Sequence, residues 1–258
     1  MKKLLAVLVI ILMVFASYAQ KEEEKEYKPK QGQMGVVFNV AGLISNINVA
    51  PVKDPMGNDL ILGKFYVRDN HVIRLGLGIQ SYNSKYNLVD SAGSAKVAYD
   101  STHKKFNLYL SPSYEYHFQG LKRLDPYIGA GVNLGFLGKT KQQIDIESTD
   151  TTGTDKRQTT FNRDGGFMFG INGIIGFNYY IAPRLALGLE YNIGYYWSRD
   201  GGDWERVTID TPVSGTAKSK REIGSERNVT SGFDHSNNLS INVSYYFGGN
   251  KVSEVARE

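Results

Sequence analysis

The 258-residue chain contains no cysteine. Disulfide staples and thiolate metal sites are therefore excluded. It has four histidines, and no two of them stand at metal-ligand spacing. Its glycines follow no phosphate-cradling pattern. No stretch carries apolar residues at helical period, and no apolar run reaches the ~20 residues of a spanning helix. A large charge excess is also missing. The formal net charge is +4, and Lys2 and Lys3 fall in a segment expected to be removed. The mature chain is then nearly neutral, which argues against a nucleic-acid partner. What the chain has in quantity is glycine (28) and tyrosine (17), suited to strands that approach closely and carry amphipathic rings.

The first residues, "MKKLLAVLVIILMVFASYAQ", read as a secretory signal. Two lysines precede the apolar run Leu4 to Phe15, and small residues stand at Ser17 and Ala19. Cleavage is expected after Ala19, giving a signal peptide over 1–19. No cysteine follows the run, so lipid attachment by the lipoprotein route is closed. Residues 20–33, "QKEEEKEYKPKQGQ", are dense in charge and read as a flexible periplasmic linker.

From Met34 to Phe247 the pattern alternates with period two. Eight strands are expected, at 34–48, 58–67, 71–83, 104–118, 124–138, 166–181, 184–198 and 237–247. Three connections are tight: "RDN" at 68–70, "QGLKR" at 119–123 and "AP" at 182–183. The others are longer, and the last two are very long. Consecutive antiparallel strands put alternate connections at opposite ends. All short turns then lie at one end and all long loops at the other. That asymmetry marks an eight-stranded antiparallel transmembrane β-barrel over 34–247, with short periplasmic turns and long extracellular loops. The expected location is the outer membrane.

Face composition decides which side is out. In "RLALGLEYNIGYYWS", 184–198, one face carries Leu185, Leu187, Leu189, Tyr191, Ile193, Tyr195 and Trp197. The other carries Ala186, Gly188, Glu190, Asn192 and Gly194. The bulky set exceeds what the lumen of an eight-stranded barrel holds. Small and polar residues fit a narrow interior. The apolar face is therefore expected outward, toward lipid. Tyr116, Phe118, Tyr179, Tyr195, Trp197, Tyr245 and Phe247 gather near strand ends as an aromatic girdle. Pro112, mid-strand on the apolar face, is expected to sit at a bulge, and Gly173 to face lipid. A soluble β-barrel with ordinary core aromatics is the bland alternative.

Four charges fall on the inward set: Lys64, Arg74, Glu115 and Glu190. If Val67 pairs with His71, Lys64 lies opposite Arg74. If Ile181 pairs with Leu185, Glu190 faces Gly176, whose missing side chain leaves it room. A cluster of two cations and two anions is expected to plug the lower lumen. The alternative is a narrow passive pore lined by the same charges. An enzyme reading centres on Ser113, Glu115 and His117, which share one face of a strand as in some lipid-modifying barrels. Interior hydrogen bonding explains them better. His71 sits at a turn, and His103 and His235 lie in or beside loops. Asp145, Glu147, Asp150 and Asp155 read as solvated loop acids. No catalytic residue, cofactor or metal is expected.

The stretches "ILGKFYVRDNHVIRLGLG", "LSPSYEYHF", "DPYIGAGVNLGFLG" and "RLALGLEYNIGYYW" resemble successive hairpins of small outer-membrane β-barrel proteins, the OmpA transmembrane-domain/OmpX-like, porin-family group. The resemblance covers roughly 34–247. It implies an integral outer-membrane barrel with a structural or surface-interaction role, such as adhesion or serum resistance, through its loops. It implies contact with outer-membrane lipid and lipopolysaccharide, with the barrel-assembly machinery, and with an extracellular partner. Interior salt-bridge clusters also occur in that group. One departure stands out. The final strand ends at Phe247, and "GGNKVSEVARE" follows, with 248–258 expected as a periplasmic tail too short to form a peptidoglycan-binding domain.

Overall fold

The computed structural model describes residues 27–41, 48–53, 57–118, 122–234 and 239–248. The expected signal segment, linker residues 20–26, turn residues 119–121, His235 and tail residues 249–258 lie outside the described residues. No described residue is helical. The strands are β1 (Gln33–Ala41), β2 (Asn48–Ala50), β3 (Val52–Lys53), β4 (Asp59–Arg68), β5 (His71–Ala92), β6 (Ala95–His117), β7 (Leu124–Leu137), β8 (Thr140–Asp150), β9 (Gly153–Arg163), β10 (Gly166–Ala182), β11 (Leu185–Thr211), β12 (Lys218–Asp234) and β13 (Leu239–Gly248). The fold is all-β and antiparallel.

The sheet closes in a ring. β1 pairs β4, and the ladder passes through β5, β6, β7, β10, β11 and β13. β13 returns to β1, from Gln33↔Gly248 to Asn39↔Asn242. The tight turns Asp69–Asn70 and Pro183–Arg184 lie at one end, with the start of β1 and the end of β13. Arg184 has φ 72° after a proline, the type II turn pattern.

Above the ring, at the other end, the chain departs from expectation. The two very long connections are not irregular loops. β8 and β9 form a hairpin, and β11 runs on to pair with β9 and β12. β5 and β6 also extend as a hairpin that meets β8. The wall is thus tall over β5, β6, β8, β9, β11 and β12. Among the described residues it is low over β1 and β4, where β2 and β3 add short pairings.

Two local expectations need correction. No bulge forms at Pro112. The β6–β7 ladder lapses at Ser111 and Pro112 and resumes at Ser113↔Gly131 in the same register, while Pro112 stays opposite Leu75. Proline removes one donor, but intact pairs on either side keep the alignment. The irregularities lie instead beside the tight turns. Arg68, not Val67, pairs with His71, and Ala182, not Ile181, pairs with Leu185. Each shift is absorbed at once, so Lys64↔Arg74 and Gly176↔Glu190 are partners.

The ring's faces are inverted relative to a water-soluble core. Ile61, Phe65, Ile73, Leu75, Phe136, Ile171, Ile175 and Tyr245 are exposed, Ile61 by 74% and Ile175 by 58%. Lys64, Arg74, Asn107, Glu115, Asn133, Asn178, Glu190 and Asn242 are buried. Closure itself has a direct test. Phe38 and Val243 are partners on the outer face of the β1–β13 seam. In a chain without cysteine, Phe38→Cys with Val243→Cys should oxidise to an intramolecular cross-link, read as altered gel migration. Phe38→Cys with Ser244→Cys, on opposite faces, should not.

Candidate functional site

The interior holds three stacked layers. Nearest the tight turns is an aromatic floor. Tyr66, Val72, Tyr180, Ala186 and Tyr246 are fully buried there, with Tyr27 packed against them. Tyr66 and Tyr246 meet edge to face at 5.7 Å, and Tyr180 lies 5.9 Å from Tyr246. Gly35 lets Tyr246 lie flat against the wall, because a Cβ there would meet its ring at 2.6 Å.

Residues 27–32, expected as the end of a free linker, lie across this end. Lys28 Nζ is 3.2 Å from Asp125 Oδ1, and Arg123 donates to Tyr27 Oη at 2.8 Å. The Gly32 amide donates to the Tyr66 carbonyl at 2.8 Å.

Above the floor sits the ionic layer. It brings together all four charges expected there. Lys64 is 2.9 Å from Glu115 Oε2, and Arg74 Nη1 is 2.5 Å from Glu115 Oε1. Arg74 also grips Glu190 with two nitrogens, at 2.7 and 3.2 Å. β5 and β11 stand on opposite walls: β6, β7 and β10 separate them one way, β4, β1 and β13 the other. The forked Arg74–Glu190 pair is therefore a strut across the lumen. Such bidentate pairs add geometric specificity to their energy. Lys64 and Arg74 are directly opposite like charges, which repel. Glu115, completely buried between them, offsets that repulsion.

Sequence reasoning read His117 as an interior hydrogen-bonding group but missed three members of this layer, Asp125, Tyr127 and Lys28. His117 places Nδ1 2.7 Å from Asp125 Oδ2 and Nε2 3.1 Å from Glu115 Oε2. Tyr127 donates to Glu190 Oε2 at 2.8 Å and stacks on His117 at 4.9 Å. Lys28 completes the chain through Asp125. The gap beside Gly176 also has a different occupant. A Cβ there would meet the Tyr127 ring at 2.7 Å, so the glycine admits the phenol that holds Glu190.

The third layer is a belt of amides. Ser111 donates to Asn133 at 2.6 Å, Asn133 to Asn172 at 3.0 Å, Asn172 to Asn192 at 3.1 Å, and Asn192 to Glu190 at 2.8 Å. These residues stand on β6, β7, β10 and β11 in turn. Every donor points the same way, toward the Glu190 carboxylate. Aligned bonds of this kind polarise one another.

The remaining candidates lie apart. Tyr116, Phe118, Tyr179, Tyr245 and Phe247 are on the outer face toward the tight turns, and Tyr195 and Trp197 toward the long hairpins. His71 bonds Tyr114, and His103 packs on Tyr82. Asp145, Glu147, Asp150 and Asp155 sit on the β8–β9 hairpin, where Gln143, Lys156, Thr152 and the Val213 amide bond them in that order. Among the described residues no group of three or more His, Asp or Glu is placed to hold a metal ion.

The strut and its neighbours make a stability prediction. Arg74→Met leaves two buried carboxylates short of a cation and should cost about 3–5 kcal/mol in urea unfolding. Adding Glu190→Met leaves the balanced Lys64–Glu115 pair and should recover much of the loss. Strictly additive losses would mean the two side chains act independently. No family model, curated protein or solved structure matches the chain.

Proposed function

We propose that the ring of β1, β4, β5, β6, β7, β10, β11 and β13 is an eight-stranded transmembrane β-barrel of a Gram-negative outer membrane. Its lumen is sealed, and its role is structural or surface-interacting, carried by the hairpins above the membrane. The inverted faces are the observation that carries this reading. Large apolar side chains cover the outside while ions and amides fill the inside. In water that arrangement exposes the wrong face; in lipid it is the low-energy one.

Dimensions support it. From Phe106 on β6 to Phe118 just past its end, the outward residues carry no charge. At ~3.3 Å per residue and a tilt of ~40°, they span about 30 Å of height, close to a bilayer's hydrocarbon core. The aromatic girdle then marks the two interfaces, and both ends of the ring, at Gln33 and Gly248, face the periplasm. Partners follow as lipid around the belt, the assembly machinery during insertion, and an extracellular partner at the hairpins.

The non-enzymatic reading rests on the same interior. Both nitrogens of His117 are taken by Asp125 and Glu115, so neither serves a Ser113 hydroxyl. The floor and the ionic layer also favour a plug over a pore. The refolded protein should migrate differently on a gel before and after boiling, and should give no large, steady single-channel conductance. Unchanged migration argues against the barrel; steady conductance argues against the plug.

A further inference from the structure

On the tall wall, the charge pattern changes abruptly where the outer apolar belt ends. Phe106 ends the continuous outward apolar run of β6, and Lys104 is the next outward residue. Its direct partner on β8 is Lys141, also a lysine. Lys85 of β5 faces outward one step further, opposite Thr102. Two like charges directly opposite each other destabilise a sheet. No described carboxylate lies within ion-pair distance of Lys85, Lys104 or Lys141, although other surface cations have such partners.

The acids of this wall are committed elsewhere. Asp100 and Asp145 are four residues further out than Lys104 and Lys141 on the same strands, about 13 Å away. Asp100 is diagonal to Lys85 across the β5–β6 ladder, about 7–8 Å off, with no ion pair between them. Asp100 is bonded by Asn87, and Asp145 by Gln143. Glu147 holds Lys156 at 2.7 Å, and Glu205 holds Arg221 at 2.5 Å. The result is an ordered sequence along one face: aromatic ring, unpaired cations, then acids. Among the described residues the low wall lacks it. There Ile61 is followed outward by Asp59, which is neutralised by Lys53 at 2.7 Å.

We infer that Lys85, Lys104 and Lys141 form a docking site for the phosphate of an anionic membrane-lipid headgroup, whose acyl chains lie on Phe106 and the apolar belt below. The inference rests on the transmembrane reading above. The repulsion between Lys104 and Lys141 is then relieved by a ligand that carries both the needed charge and the needed apolar tail. Cations beside an anionic lipid surface act over about a Debye length, so the contact weakens with salt.

The test compares wild type with Lys104→Gln/Lys141→Gln, refolded into phosphatidylcholine vesicles with or without phosphatidylglycerol, and follows the unfolding temperature of the heat-modifiable band. Phosphatidylglycerol should raise it by several degrees in wild type at low salt, and by little at about 1 M salt, where the Debye length falls to about 3 Å. The double glutamine variant should lose most of the shift, and Lys104→Arg/Lys141→Arg should keep it. Inorganic phosphate added to phosphatidylcholine vesicles should do nothing. An equal shift in the glutamine variant overturns the site. An equal shift with inorganic phosphate overturns the lipid as its occupant. Failure of wild type to insert into either vesicle overturns the barrel reading, and this site with it.

Discussion

The strut from Arg74 to Glu190 is the constraint on which the rest of the interior depends. It joins opposite walls of the ring, so it fixes both the ring's width and the height at which the walls face one another. A one-residue slip of β5 or β11 would turn one of these charges to the outside. Neither charge is tolerable alone, and Arg74 is also opposed by Lys64 across the β4–β5 ladder. Glu115 must therefore stand between the cations, and it does so from β6, the next strand along. His117 and Asp125 extend the balance to Lys28, which ties the N-terminal approach of the chain to the bottom of the ring.

That network explains why so many inward positions are small. The lumen of such a ring has room for few long side chains. Each long one needs a gap beside it, as Tyr127 needs Gly176 and Tyr246 needs Gly35. The asparagines of the amide belt fill the next layer with groups that both donate and accept, so each bond can be passed to the next strand. Outside, the same economy of space does not apply, and bulky residues dominate. One sequence period thus encodes two unlike surfaces, a crowded polar interior and an apolar skin.

Much of this was legible from the sequence because side-chain period two is strict. Parity alone put Lys64, Arg74, Glu115 and Glu190 inside. The tight turns then set the pairings Lys64↔Arg74 and Gly176↔Glu190 despite local irregularities. The tyrosine floor was less visible. Its signal is the doublet in "NYYIA" and "SYYFG", where one ring must face in and its neighbour out, and counting only the outward ring hides Tyr180 and Tyr246. Asp125 lies at the start of β7, beside a turn, where a carboxylate usually means solvent. Its burial depends on His117, across the turn on β6, and on Lys28, 97 residues away in sequence. The β8–β9 and β11–β12 hairpins were read as loops because both of their faces carry polar residues. Without contrast between faces, alternation carries no signal, and only pairing with taller neighbours reveals the strands.

The central claim is that the bulky face meets lipid and the polar face meets a sealed interior. Single cysteines placed in turn from Phe106 to Tyr114 on β6, each carrying an environment-sensitive fluorophore, test it most directly in vesicles containing a brominated lipid. The account predicts quenching with period two, strong at 106, 108, 110 and 114 and weak at 107, 109, 111 and 113. Quenching of the opposite set, or quenching without period, would contradict it.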